Sequence, residues 1–177
     1  MHESAPGVFV CADDVVFVDD GVIAALKAAV PGSPLGRVRL CAHRHADDRV
    51  QEMLIVLGRA SYVRPHRHLA KTESFHVVEG EADVVVFADD GAIERVVPLG
   101  PPGGGWSFFY RLQTSRFHTV LIRSEYLVIH ETTNGPFRPD ETVQASWAPA
   151  DDDDDAVARY VAELERRIGR PQMPGGI

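Results

Sequence analysis

The sequence predicts an all-β antiparallel sandwich or barrel with one helix near each end. Three observations carry this. Between residues 37 and 131, short runs of β-branched and aromatic residues follow one another, separated by turn signals and by no helical segment. Asp90-Gly91 stands between two such runs, which is a strong hairpin signal. Apolar residues at helical spacing occur only outside this stretch, around residue 25 and around residue 161.

Residues 1–14 are expected to be a flexible N-terminus. The apolar run 15–18, bounded by Asp13-Asp14 and Asp19-Asp20, reads as a small strand. Asp19 or Asp20 then caps a helix, in which Val22, Ile23, Leu26 and Val30 share a face before Pro31-Gly32 stops it. The period changes at Arg37: RVRLCAH (37–43) alternates polar and apolar residues, and EMLIVLG (52–58) is a continuous apolar strand. The stretch 61–80 follows, then ADVVVF (82–87), the turn 89–91 and AIERVVPL (92–99). PPGGG (101–105) is a loop, and WSFFYRL, RFHTVLI and EYLVIHE are three further strands. Residues 134–149 are irregular and contain prolines, so they are expected to wrap the rim of the barrel. The five aspartates 151–155 precede AVARYVAELERRI, where Val157, Tyr160, Val161, Leu164 and Ile168 lie on one face. Acids in the first turn and Arg166 and Arg167 in the last both suit the helix dipole, so the aspartates read as a helix start and not as a metal tract. The organisation is therefore one barrel with its leading helix over 15–149, a C-terminal helix over 150–169 and a disordered tail over 170–177.

Totals narrow the function. A chain of 177 residues is one domain by default and buries a core without staples. A net charge of -8 argues against a nucleic-acid binder, while leaving room for a small anionic ligand held by local arginines. No apolar run is long enough to span a bilayer, and the residues after Met1 do not read as a secretory signal. Cys11 and Cys41 form no Cys-x-x-Cys unit, which points to a reducing cytoplasm.

The chemistry concentrates in SYVRPHRHLAKTESFHVVEG, residues 61–80. His66 and His68 are two apart, so on a strand both imidazoles aim at one point. Glu73, returned by a short turn onto the next strand, supplies an oxygen to that point. Nitrogen and oxygen donors converging from a hairpin describe a site for one divalent metal, Fe, Mn, Zn or Ni. The same parity argument puts Tyr62 and Arg64 in phase with His66 and His68, and Arg116 in phase with His118. Tyr62, Arg64 and Arg116 are thus expected to line a pocket that grips a carboxylate or phosphate. Glu131 and Tyr110 are further acid or base candidates. Lys71 reads as a solvated turn charge, and His76 should face away from the metal. His43 and His45 lack a following carboxylate at motif spacing.

His66, His68, Glu73 and Gly80 match in every spacing the first motif of the cupin superfamily, His-x-His, three or four residues, Glu, six residues, Gly. Ala60 stands where that motif begins with glycine. The second motif keeps only its histidine: around His118 its Pro, Gly and Asn positions hold Gln113, Ser115 and Ile122. His118 is the expected fourth ligand, with His130 as its rival. Over residues 15–149 the chain looks like the WbuC-type cupin-fold metalloproteins, through RVRLCAH, QEMLIVL, the 61–80 stretch, FADDGAIERV, and ETTNGPF followed by WAP. The resemblance implies an antiparallel double-stranded β-helix, the cupin jelly-roll barrel, in a homodimer. It also implies a surface-polysaccharide (O-antigen) setting. The function expected from residues and resemblance together is a metal-dependent enzyme, an isomerase, lyase or oxygenase, on a small polar or carbohydrate-derived metabolite. The alternative is a metal-stabilised small-ligand or sugar-binding protein without catalysis.

Overall fold

A computed structural model describes residues 1–169; the expected disordered tail, 170–177, lies outside the described residues. Twelve strands build two sheets. The first contains β1 (His2–Ala5), β2 (Val8–Val10), β3 (Arg37–Cys41), β4 (Val50–Gly58), β6 (Glu73–Glu79), β9 (Phe109–Leu112) and β11 (Tyr126–Asn134), in the order β1-β2-β3-β4-β11-β6-β9. The second contains β5 (His66–His68), β7 (Ala82–Phe87), β8 (Ile93–Leu99), β10 (Phe117–Ile122) and β12 (Thr142–Gln144), in the order β12-β5-β10-β7-β8. All pairings are antiparallel except β2 with β3. The two sheets face each other as a jelly-roll barrel.

Strand parity divides the core. Inward residues Phe75, Val77, Val84, Leu99, Leu127 and Ile129 fill the space between the sheets. Outward residues of β3, β4 and β11, among them Leu40, Val56 and Val128, pack under α1 (Asp20–Ala29). Leu26 of that helix is fully buried, which stabilises by roughly 2 kcal/mol. Asp19 caps α1 by accepting from the Val22 amide. On the far side, α2 (Asp154–Ile168) lays Leu164 against Val85, Phe87 and Phe117, with Asp153 as its cap. None of the described helices is long and apolar enough to cross a membrane.

Two turn glycines set the hairpins. Gly80 has φ +83°, and a Cβ there would stand 2.1 Å from the Tyr126 carbonyl oxygen, so only glycine joins β6 to β7. Gly91, φ +84°, turns β7 into β8 beneath the Trp147 ring.

Three sequence expectations fail. Residues 1–14 are not simply flexible: they form β1 and β2, which extend the first sheet beyond β3. The run 15–18 is not a strand: it pairs with neither sheet, and Val15 and Phe17 are exposed. The 134–149 stretch is not wholly irregular. A 3-10 turn at Pro139–Glu141 leads into β12, which pairs with β5 directly behind the histidines.

Candidate metal centre

Four side chains from three strands and both sheets converge. His66 and His68 project from β5, His118 from β10 and Glu73 from β6. Each offers one ligand atom, and all four atoms lie within 4.8 Å of one another. The convergence follows from register. His118 pairs directly with His66 across β10 and β5, and Glu73 faces them from the inner side of the other sheet. The three imidazole centroids are 4.5, 4.9 and 5.7 Å apart. Glu73 Oε1 lies 3.3 Å from His118 Nε2, and Oε2 lies 3.5 Å from His68 Nε2.

The outer nitrogens are already committed. His66 Nδ1 donates to the Arg64 carbonyl at 2.9 Å, and His118 Nδ1 donates to the Arg116 carbonyl at 3.0 Å. A carbonyl only accepts, so both Nδ1 atoms carry the proton and both Nε2 atoms present a lone pair inward. His68 Nδ1 is 3.1 Å from Thr142 Oγ1 on β12. This is the outer support by which metal-binding histidines are oriented. His118 Nε2, despite its closeness to Glu73, is buried without a hydrogen-bond partner. A buried acceptor left unsatisfied costs about 1–3 kcal/mol, so the centre fits an ion that the lone pair can bind.

The electrostatics differ between the rings. Burial, helped by the neighbouring His118, pushes His66 down to about 4, so its ring stays neutral and ligand-competent at neutral pH. Burial would raise Glu73, but His118, His68 and His66 outweigh it and hold the carboxyl well below its usual range. For His118, burial opposes the charged form and Glu73 overcomes it, raising the ring, so an ion bound by its Nε2 would have to displace a proton that the Glu73 charge favours there. Three imidazoles and one carboxylate form a borderline donor set suited to Fe, Mn, Zn or Ni and unsuited to calcium.

A cavity of about 630 Å³ opens from this centre along the inner faces of β3, β4 and β11. Glu131 stands on its wall, one row beyond Glu73, opposite Phe75 and Met53. Burial, and then the Glu73 charge, push its carboxyl up to about 8. Lys71 also lines the cavity, its Nζ 4.5 Å from the centre of the Phe137 ring. His43 and His45 lie at the cavity's edge and do not join the four-residue cluster.

The other expected pocket residues are elsewhere. The Tyr62 hydroxyl donates to the Pro149 carbonyl, and its ring meets Tyr160 of α2 edge-on at 6.2 Å. Arg64 donates to the Ala145 and Ala148 carbonyls, pinning the segment after β12. Arg116 pairs with Glu94 at 3.2 Å on the surface. None of the three lines the cavity. The parity argument fails for Tyr62 and Arg64 because 61–65 is not a strand, so alternation does not run back from His66 through Pro65. The Arg64 and Arg116 backbone carbonyls, not their guanidinium groups, serve the centre. Tyr110 faces inward against Phe75 in the packed core, where burial raises its hydroxyl. His76 points outward against Phe108 and Phe109. His130, on the outer parity of β11, is half-exposed beside Glu52 and takes no part in the cluster. Sequence reasoning missed Thr142, which lies 74 residues from the histidine it supports. It also missed Arg39, an inward residue of β3 that lines the cavity.

Residues 18–99 match a family model described as a domain of unknown function, DUF6016. The match includes His66, His68 and Glu73 and ends before His118. No curated protein matches the chain. Among solved structures, protein SO0799 from Shewanella oneidensis is similar with a TM-score of 0.54 and 10% identity, over 78% of this chain and 89% of that one. Oxalate decarboxylase from Bacillus subtilis, a protein with Mn(II) centres, gives 0.43 and 19% identity over 55% of this chain and 24% of its own. A recombinant oxalate oxidase in complex with glycolate gives 0.43 and 13% identity over 54% of this chain and 46% of its own. The chain thus spans about a quarter of the decarboxylase and under half of the oxidase. In fold, the chain is an antiparallel jelly-roll barrel, which it shares with protein SO0799.

Proposed function

We propose that this protein holds one divalent transition metal on His66, His68, Glu73 and His118 and is a metal-dependent enzyme acting on a small polar metabolite. The observation that carries the reading is the buried, unpartnered Nε2 of His118, turned by its Nδ1 bond toward two other imidazoles and a carboxylate. A bound ion would supply Lewis-acid polarisation of a substrate oxygen or a site for dioxygen, which suits isomerase, lyase or oxygenase chemistry. The chain's own residues do the rest. The Arg64 and Arg116 carbonyls and Thr142 orient the rings. Glu131 stands on the cavity wall beside the centre, where burial and the Glu73 charge favour its protonated form in the metal-free protein. The cytoplasmic setting rests on cysteine usage. The homodimer and the polysaccharide-linked, carbohydrate-derived substrate rest on the WbuC-type resemblance.

Elemental analysis tests the centre. His66→Ala, Glu73→Ala and His118→Ala should each lose most of the bound metal while the barrel stays folded, and His130→Ala should keep it. Wild-type metal content in the first three sinks the assignment. A ligand that raises the melting temperature yet returns unchanged after long incubation with metal-loaded protein would identify the non-catalytic binding protein instead.

A further inference from the structure

We propose that the cavity takes a carboxylic acid with an apolar aryl or branched-alkyl body, its carboxylate held by Arg39 and its other end at the four-residue centre. The second contact rests on the metal reading above; the first does not.

The walls set the body. Between Arg39 and the centre the cavity is lined mainly by Met53, Ile55, Val63, Val120 and Ile129, with the Glu131 carboxyl beside Met53 and with Gln51 and Thr133 one row further along. The backbone of β4 and β11 along this wall is engaged in sheet pairing, each to the other and to β3 or β6. A sugar would press hydroxyls against this surface, each losing water without a partner at about 1–3 kcal/mol. An apolar body there gains roughly 25 cal/mol for each Å² removed from water. The wall therefore selects against the carbohydrate that the resemblance suggests.

Charge sets the anionic end. Of the cavity's basic residues, Arg37 donates to the Tyr62 carbonyl, Arg44 pairs with Asp14, and Lys71 rests on Phe137. Arg39 is exposed, lines the cavity, and among the described residues has no side-chain hydrogen bond or ion pair. A free guanidinium fork matches a carboxylate bidentately. Glu73 stands at the opposite end and Glu131 lies between, within reach of the Arg39 charge, so an anionic group is better placed on the Arg39 side.

Length is consistent. Arg39 pairs with Ile55, and Ile55 with Ile129; Glu73 pairs with Thr133. Three strand steps and four residues along β11 separate the two α-carbons by about 19 Å. Side chains from both ends fill roughly half of that, leaving a gap of about 10 Å. The volume, about 630 Å³, falls in the range of small-ligand sites.

Calorimetric titration and melting shifts on Zn-loaded protein test this with four probes: phenylpyruvate, 4-methyl-2-oxopentanoate, gluconate and the methyl ester of phenylpyruvate. At least one of the two apolar oxo acids should bind, and gluconate at least about tenfold more weakly. Arg39→Met should weaken the acid by about tenfold or more while leaving ester binding and metal content unchanged. Gluconate binding as tightly as the oxo acids overturns the proposal. So does an Arg39→Met variant with wild-type affinity, and so does failure of both oxo acids on fully metallated protein. If wild type takes up no metal, the metal reading falls alone, and Arg39-dependent acid binding is read on the metal-free protein.

Discussion

Glu131→Gln should change the pH dependence of stability in metal-free protein. Burial and the Glu73 charge raise the Glu131 carboxyl from 4.5 to about 8. A carboxyl raised on folding binds its proton more tightly in the native state, so between those values stability falls as pH rises. The penalty is absent below about pH 4.5 and complete above about pH 8. At 1.36 kcal/mol per unit the ceiling is about 5 kcal/mol. Water in the cavity reaches the carboxylate and screens it, which reduces the expected effect to about 1–2 kcal/mol. Gln cannot ionise, so the variant should match wild type near pH 4.5 and exceed it by about that amount at pH 8.5. Urea denaturation of both proteins across this range measures the difference. A divalent cation at the centre favours the ionised carboxylate, so metal should shrink the gap. A Gln variant whose advantage is the same at pH 4.5 and pH 8.5 would refute the argument that burial and Glu73 act on this group.

Other perturbations separate site from scaffold. Thr142→Val removes the oxygen facing His68 Nδ1 and should weaken metal binding by about tenfold or more with the fold intact, read by competition with a chelator; unchanged affinity would show that Thr142 does not orient the ring. Gly80→Ala forces a side chain into a left-handed backbone 2.1 Å from the Tyr126 oxygen, and should cost about 3 kcal/mol or more, seen as a lower urea midpoint. Tyr62→Phe should leave metal content untouched and cost about 1 kcal/mol for the lost bond to the Pro149 carbonyl. Loss of metal in that variant would restore Tyr62 to the site.

The barrel and three residues of the candidate centre were legible because they depend on local geometry. His66 and His68 lie two apart on one strand, and a five-residue return brings Glu73 opposite them. Gly80 marks the next turn through its own backbone conformation. Where the inference ran past a strand end it failed. Tyr62 and Arg64 have the right parity, but Pro65 and the residues before it leave the sheet, and alternation has no meaning off a pleat. His118 and His130 both sit within strands, and choosing between them needs to know which face of each strand turns inward. The β11 ladder supplies that: Ile129 and Glu131 share the inner parity with Phe75 and Val77, and His130 falls between them on the outer face. Thr142 and Arg39 were hidden for a further reason. Each reaches the site only through a pairing between strands far apart in sequence, β12 on β5 and β3 on β4. Neither carries a spacing that a single sequence can display. Three residues of the candidate centre, His66, His68 and Glu73, are therefore written in a local hairpin code, whereas His118 and the distant residues that line the cavity are written in long-range register. The motif accordingly leaves unspecified the β3 and β4 wall that lines the cavity, since that wall is set by pairings far apart in sequence.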